Sequence, residues 1–166
     1  VSDMSGRRIV VMGVSAAGKS SVGRALADLL PVPFVDADAL HPRANVEKMA
    51  AGMPLDDADR APWLDAVGAR LAGAETGIVV ACSALRRTYR DRLRTSAPDV
   101  VFVHLTGSEQ LLRERAEART DHFMPAQLLR SQLDTLEALG EDEHGFALDV
   151  AGSVEELARN AAGRLG

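Results

Sequence analysis

The sequence predicts a three-layer α/β/α fold in one domain, a five-stranded parallel sheet with helices on both faces. Three observations predict it. Five short apolar runs alternate with segments of helical periodicity, the βαβ pattern whose right-handed crossovers make strands parallel. The runs are apolar throughout instead of alternating, as strands covered on both faces are. The first run stops at a loop that opens a helix, Gly13-Val14-Ser15-Ala16-Ala17-Gly18-Lys19-Ser20-Ser21, which fits the phosphate-binding pattern G-x-x-x-x-G-K-[ST].

Ile9 to Met12 form the first strand, and Val22, Ala25, Leu26, Leu29 and Leu30 give the following helix its apolar face. Between them, the backbone N–H groups of residues 13–21 and the positive end of the helix suit a nucleotide's phosphates. Lys19 can reach the β- and γ-phosphates, and the Ser20 hydroxyl can ligate Mg²⁺. Ser21 keeps a hydroxyl for a phosphate oxygen. If Ala16 must take a positive φ, its side chain costs on the order of 1–2 kcal/mol.

Pro33 to Asp36 form the second strand. If the chain stays extended, Asp36 and Asp38 point to one side. One carboxylate then supports Mg²⁺ and the other takes the proton of an attacking hydroxyl. Equally, both suit a turn or a helix cap. In the helical stretch that follows, His41 can hydrogen-bond a polyol and Lys48 can meet a carboxylate, although each alone reads as a surface residue. Gly52-Met53-Pro54 breaks the helix. The next one starts near Asp59 and puts Trp63 in the core. Its Arg60 is either a surface residue or a bidentate clamp on a substrate carboxylate.

Gly77 to Cys82 form the third strand, with Cys82 a small buried residue. The arginine-rich segment 86–94 reads by default as a solvated helix face with an Arg87–Asp91 pair. Ser83, Arg86 and Arg87, however, sit just past the strand end. Cations are disfavoured at a helix N-terminus, and an anionic ligand relieves the conflict. Arg92 and Arg94 are expected in solvent. Val100 to Leu105 form the fourth strand. Ser108 caps a helix carrying Arg113, Arg115 and Arg119, which reads as a wet face or as a lid that closes an arginine onto the transferring phosphoryl group. A helix from Ala126 to Leu139 has Leu128, Leu129, Leu133 and Leu136 on its apolar side, with Gln132 a polar contact or surface. Phe146 to Val150 form the last strand, and Ser153 caps the final helix.

The net charge of −5 over 166 residues gives no general field for nucleic acid, so an anionic substrate needs a local basic cluster. The single cysteine excludes an intrachain disulfide and fits a reducing compartment. No run approaches the roughly 18 apolar residues of a membrane span, and Val1 to Arg8 hold no signal-peptide core. The expectation is a cytoplasmic protein.

Taken together, these segments resemble the small gluconokinases of the P-loop kinase superfamily, relatives of shikimate kinase. The resemblance rests on residues 13–21, Asp36-Ala37-Asp38-Ala39-Leu40-His41-Pro42 with Asn45, Lys48 and Met49, Gly52-Met53-Pro54-Leu55, Asp59-Arg60-x-Pro62-Trp63-Leu64, Cys82-Ser83-Ala84-Leu85-Arg86-Arg87-x-Tyr89-Arg90-Asp91, and His122-Phe123-Met124-Pro125 with Leu128-Leu129-x-Ser131-Gln132. The Leu-His-Pro and Pro-Trp-Leu blocks are more diagnostic than the phosphate loop. The family usually has Gly-Ser where this chain has Ala16-Ala17, and often lysine at Arg86.

The resemblance implies a P-loop NTPase fold of the nucleoside-monophosphate and shikimate kinase type. It implies ATP and Mg²⁺, phosphorylation of D-gluconate at its 6-hydroxyl, and a homodimer. It also implies a substrate-binding helical insertion at about 39–75 and a lid at about 115–125. Asp38 would be the base, with Lys19 and Arg115 or Arg119 stabilising charge on the phosphoryl group, and Ser20 and Asp36 supporting the metal. Candidates for gluconate contact are Asp38, His41, Lys48, Arg60, Ser83, Arg86, Arg87, His122 and Gln132. The alternatives are a kinase for another small hydroxy-acid such as shikimate, and a nucleotide-binding module weak in catalysis.

Overall fold

The structure, a computed structural model, describes residues 6–118 and 126–165. The first apolar run is β1 (Arg8–Met12), and the phosphate-loop segment leads into α1 (Lys19–Leu29). β2 (Phe34–Asp36) is followed by α2 (Arg43–Ala50) and α3 (Asp57–Ala72). Then come β3 (Ile78–Ala81), α4 (Arg87–Ser96), β4 (Val101–Thr106), α5 (Glu109–Ala118), α6 (Ala126–Thr135), β5 (Gly145–Asp149) and α7 (Val154–Leu165). Two 3₁₀ turns, Ser15–Ala17 and Ala37–Leu40, follow the ends of β1 and β2.

The five strands pair in the order β2-β3-β1-β4-β5, all parallel. β1 is therefore central, with Val10 between Val80 and Phe102. Ile9 and Val11 turn to a core made with α1, α5 and α7, while Val10 and Met12 turn to one made with α3 and α4. Each face of β1 is fully buried, which is why its sequence shows no alternation. α3 belongs to the layer that covers the sheet, through Trp63, Leu64, Val67 and Leu71, and α2 lies outboard of it.

Several expectations shift. α3 is capped by Asp56, not Asp59: the Asp59 N–H donates to Asp56 Oδ1 (2.8 Å) and the Asp56 N–H to Asp59 Oδ2 (2.9 Å), a reciprocal capping box. α6 ends at Thr135, not Leu139, because the chain turns off to donate the Glu137 N–H to Leu85 O at 2.7 Å. Leu128 is exposed, while Leu129 reaches the core. Among the described residues, no helix is long and apolar enough to cross a membrane.

The largest departure is in α4. Arg90, expected on a solvated face, is 0% exposed. Its Nε and Nη2 donate to Glu143 at 2.8 and 3.0 Å, and its Nη1 donates to Ala84 O at 2.8 Å. Arg94, also expected in solvent, donates to the same carboxylate at 2.8 Å and lies over the Phe102 ring. Burial alone pushes the Glu143 carboxyl up. Hydrogen bonds from Arg90, the Gly140 N–H and Arg94 outweigh it and hold the pKa at about 2. Leaving two guanidinium groups facing a neutral amide, Glu143→Gln is expected to destabilise the fold by about 3–5 kcal/mol. The depressed carboxyl stabilises the fold above its unfolded pKa, and that contribution disappears as pH falls toward about 2. Thermal unfolding followed by circular dichroism should therefore show the melting temperature falling more steeply between about pH 5 and pH 2 in the wild type than in the variant.

Candidate active site

The carboxyl ends of the strands carry the polar residues, as an open parallel sheet requires. At the end of β1, Gly13 has φ +145°, and a Cβ there would stand 2.8 Å from Leu105 O. Gly18, at φ +85°, is the N-cap of α1. These glycines shape the loop, and Ala16 does not: it lies in the 3₁₀ turn, outside the positive-φ residues. The strain weighed for Ala16 is therefore absent. Ala16 and Ala17 are buried in the core beneath the loop, so their methyl groups anchor it.

The loop delivers Lys19, Ser20 and Ser21 at the N-terminus of α1. The Lys19 ammonium donates to Val14 O at 3.2 Å. Ser20 Oγ donates to Asp36 Oδ2 at 2.9 Å, while Asp36 Oδ1 accepts the Asp38 N–H at 3.0 Å. The chain does not stay extended after β2. Asp36 caps the Ala37–Leu40 turn and Asp38 sits in its first turn, so the cap and the hydroxyl–carboxylate pair coexist in one residue.

Cys82 follows the end of β3 and is buried. Burial pushes the Cys82 thiol up to about 12, with Lys19 acting against the burial and Asp36 and Asp38 with it. Ser83, next in the chain, gives its carbonyl to the Gly13 N–H at 3.3 Å.

The flank beyond Asp38 is built on Trp63. Its Nε1 donates to Ala37 O at 2.8 Å, and the His41 ring stacks on it with centroids 4.4 Å apart. Burial, with Arg60 nearby, lowers the His41 pKa against the pull of Asp38. Arg60 lies over the Tyr89 ring and donates to its hydroxyl at 3.2 Å, and that hydroxyl donates to Asp57 at 2.8 Å. Lys48 is committed to Asp59, 2.6 Å away, which raises the lysine pKa and lowers that of the aspartate. Arg87 turns to an acidic loop, residues 140–144, between α6 and β5: its guanidinium grips Asp142 in a bidentate pair, and its N–H donates to Glu137. Arg86, the N-cap of α4, is exposed and makes no ion pair among the described residues.

On the other flank, α5 and α6 abut the Ser15–Ala17 turn. Arg115 lies half-buried in the last turn of α5, whereas Arg119 and His122 lie outside the described residues. Gln132 is tied to the turn after β1. Its Oε1 accepts the Ser15 N–H and its Nε2 donates to Ser15 Oγ, both at 2.8 Å. Sequence reasoning gave no separate role to Tyr89 or Asn45. Tyr89 was legible as the single tyrosine, three residues beyond Arg86 in a helix dominated by arginine. Asn45 stood out only as a polar residue between Arg43 and Glu47, without a sign that it is buried.

A family model described as an AAA domain matches residues 9–139. The chain is similar to a gluconokinase of Gluconobacter oxydans (strain 621H), 51% identical over 140 residues covering 82% of this chain and 79% of the relative. It is similar to the thermoresistant gluconokinase of Escherichia coli (strain K12), 46% identical over 81% of this chain and 78% of that one. Among solved structures, it is similar to a gluconokinase from Sinorhizobium meliloti 1021, with a TM-score of 0.88 and 53% identity over 96% of this chain and 91% of the other.

Gln132 ties α6 to the phosphate loop by two neutral hydrogen bonds. Gln132→Ala is expected to weaken Mg²⁺–nucleotide binding about threefold to tenfold in isothermal titration, with the melting temperature little changed.

Proposed function

The chain belongs to the gluconokinases and to the AAA-domain family, and from that premise we propose that it transfers the γ-phosphoryl group of ATP to the 6-hydroxyl of D-gluconate, giving 6-phospho-D-gluconate and ADP. The observation that supports this reading is the Ser20 hydroxyl, next to Lys19, donating to Asp36, whose other oxygen accepts the Asp38 N–H.

In this reading residues 13–21 bind the phosphates through backbone N–H groups and the α1 N-terminus. Asp38 orients the attacking hydroxyl and accepts its proton as the new P–O bond forms and the bond to ADP breaks. Lys19 holds the β- and γ-phosphate oxygens, and Arg115 and Arg119 stabilise charge on the phosphoryl group. Ser20 and Asp36, two oxygen donors at one helix N-terminus, fit a hard cation. Mg²⁺ bound there neutralises charge on the phosphates. Arg60 and Arg86 meet the gluconate carboxylate, and His41, Ser83 and His122 meet its hydroxyls. Lys48 and Arg87 hold α2 and the acidic loop in place through Asp59 and Asp142. The lid around residues 115–125 excludes water, so that ATP is not hydrolysed unproductively. The proposed setting is a cytoplasmic homodimer.

A panel of hydroxy-acid acceptors with coupled ADP detection tests the substrate. Saturable ADP release with D-gluconate is expected, and release with shikimate but not gluconate would overturn the assignment. Asp38→Asn is expected to lower turnover by about 10²–10⁴, and near-normal turnover would remove Asp38 from proton transfer. Lys19→Met is expected to abolish activity while the circular dichroism spectrum stays unchanged.

A further inference from the structure

Asn45 is 4% exposed and lies in α2, behind His41. Its Nδ2 stands 2.9 Å from the Asp59 carbonyl and 3.2 Å from His41 Nδ1. A carbonyl only accepts, so the Asp59 contact fixes which end of the Asn45 amide faces this way: it is the NH₂. An NH₂ only donates. Nδ1 of His41 must therefore accept, and the ring must carry its single proton on Nε2. An imidazolium would point an N–H at an N–H, so the same contact disfavours the charged form.

The surroundings act in the same direction. Partial burial lowers the His41 pKa, Arg60 from α3 lowers it further, and Asp38 on the adjoining turn opposes them. Asp59 meets Asn45 through its carbonyl, and its carboxylate is paired with Lys48. Stacking on Trp63, 4.4 Å between centroids and 11° from parallel, fixes the plane of the ring.

The geometry points to His41 as a neutral, orientation-locked hydrogen-bond donor to an oxygen of the acceptor substrate, with Asn45 the buried positioning residue that sets its tautomer. The inference rests on the proposed gluconate reading for its partner and on the Asn45 contacts alone for the tautomer. A fixed donor between the base Asp38 and the cationic Arg60 favours a substrate that offers an acceptor oxygen there. It discriminates against an analogue lacking that oxygen, since the N–H would be left unpaired.

Long-range ¹H–¹⁵N spectra of the ¹⁵N-labelled protein read the tautomer directly. The His41 signals are those of the four histidines that vanish in His41→Phe, which keeps a flat ring on Trp63. The expected result is a protonated Nε2 and a bare Nδ1 in the neutral ring at about pH 8. A protonated Nδ1 there would overturn the inference. In kinetics, His41→Phe is expected to raise the gluconate KM roughly tenfold or more with the ATP KM unchanged, and an unaltered gluconate KM would overturn it. Asn45→Asp puts an acceptor against Nδ1, so the His41 titration should move upward and the gluconate KM should become pH-dependent where the wild type is flat. An unmoved titration in a folded Asn45→Asp protein would also overturn it. Absence of gluconate turnover in the wild type overturns the assigned partner, whereas the spectrum decides the tautomer independently.

Discussion

The Asp36 carboxylate is hydrogen-bonded on both oxygens, to Ser20 Oγ at the start of α1 and to the Asp38 N–H in the turn after β2. That pair of contacts joins the two halves of the site. β2 lies at the edge of the sheet and β1 at its centre, with β3 between them. The Asp36 side chain links the segments that follow β1 and β2. Cys82, small and buried, follows β3, and burial pushes its thiol up to about 12.

Much of this was legible in the residues because the physics involved is local. A strand covered on both faces has to be apolar along its length, so β1, β3 and β4 announced themselves. A loop cradling phosphates needs glycine where φ is positive, and Gly13 and Gly18 occupy those positions. Ala16 was harder to judge. Its tolerance depends on whether the turn runs through the left-handed region, and this one closes instead as a 3₁₀ turn. Likewise, Asp36 offered two readings, a cap or a site carboxylate. The structure shows the cap on Oδ1, and it leaves Oδ2 to the Ser20 hydroxyl.

Long-range pairing was hidden. Arg90, Arg92 and Arg94 look alike in sequence, yet Arg90 is fully buried, Arg92 reaches Asp65 on α3, and Arg94 shares Glu143. What separates them is the return of residues 137–143 across α4, a contact 49 to 53 positions away in the chain. Helical periodicity carries no information about that crossing. The same return supplies Asp142 to the Arg87 guanidinium, while Arg90 also holds the Ala84 carbonyl at a residue with φ +44°.

The geometry of α4 also distinguishes Arg86 from its neighbour. Both stand where the helix dipole is positive, which disfavours a cation. For Arg87 the conflict is answered within the chain, by Asp142 at its guanidinium and Glu137 at its N–H. At Arg86 no carboxylate among the described residues does the same, although Tyr89 and Arg60 lie one turn away on the same side of the site. An uncompensated cation at a helix N-terminus is destabilising unless an anion arrives there. In the proposed reaction the anion is the acceptor's carboxylate, placed at the opposite end of a linear polyol from the hydroxyl that Asp38 must deprotonate.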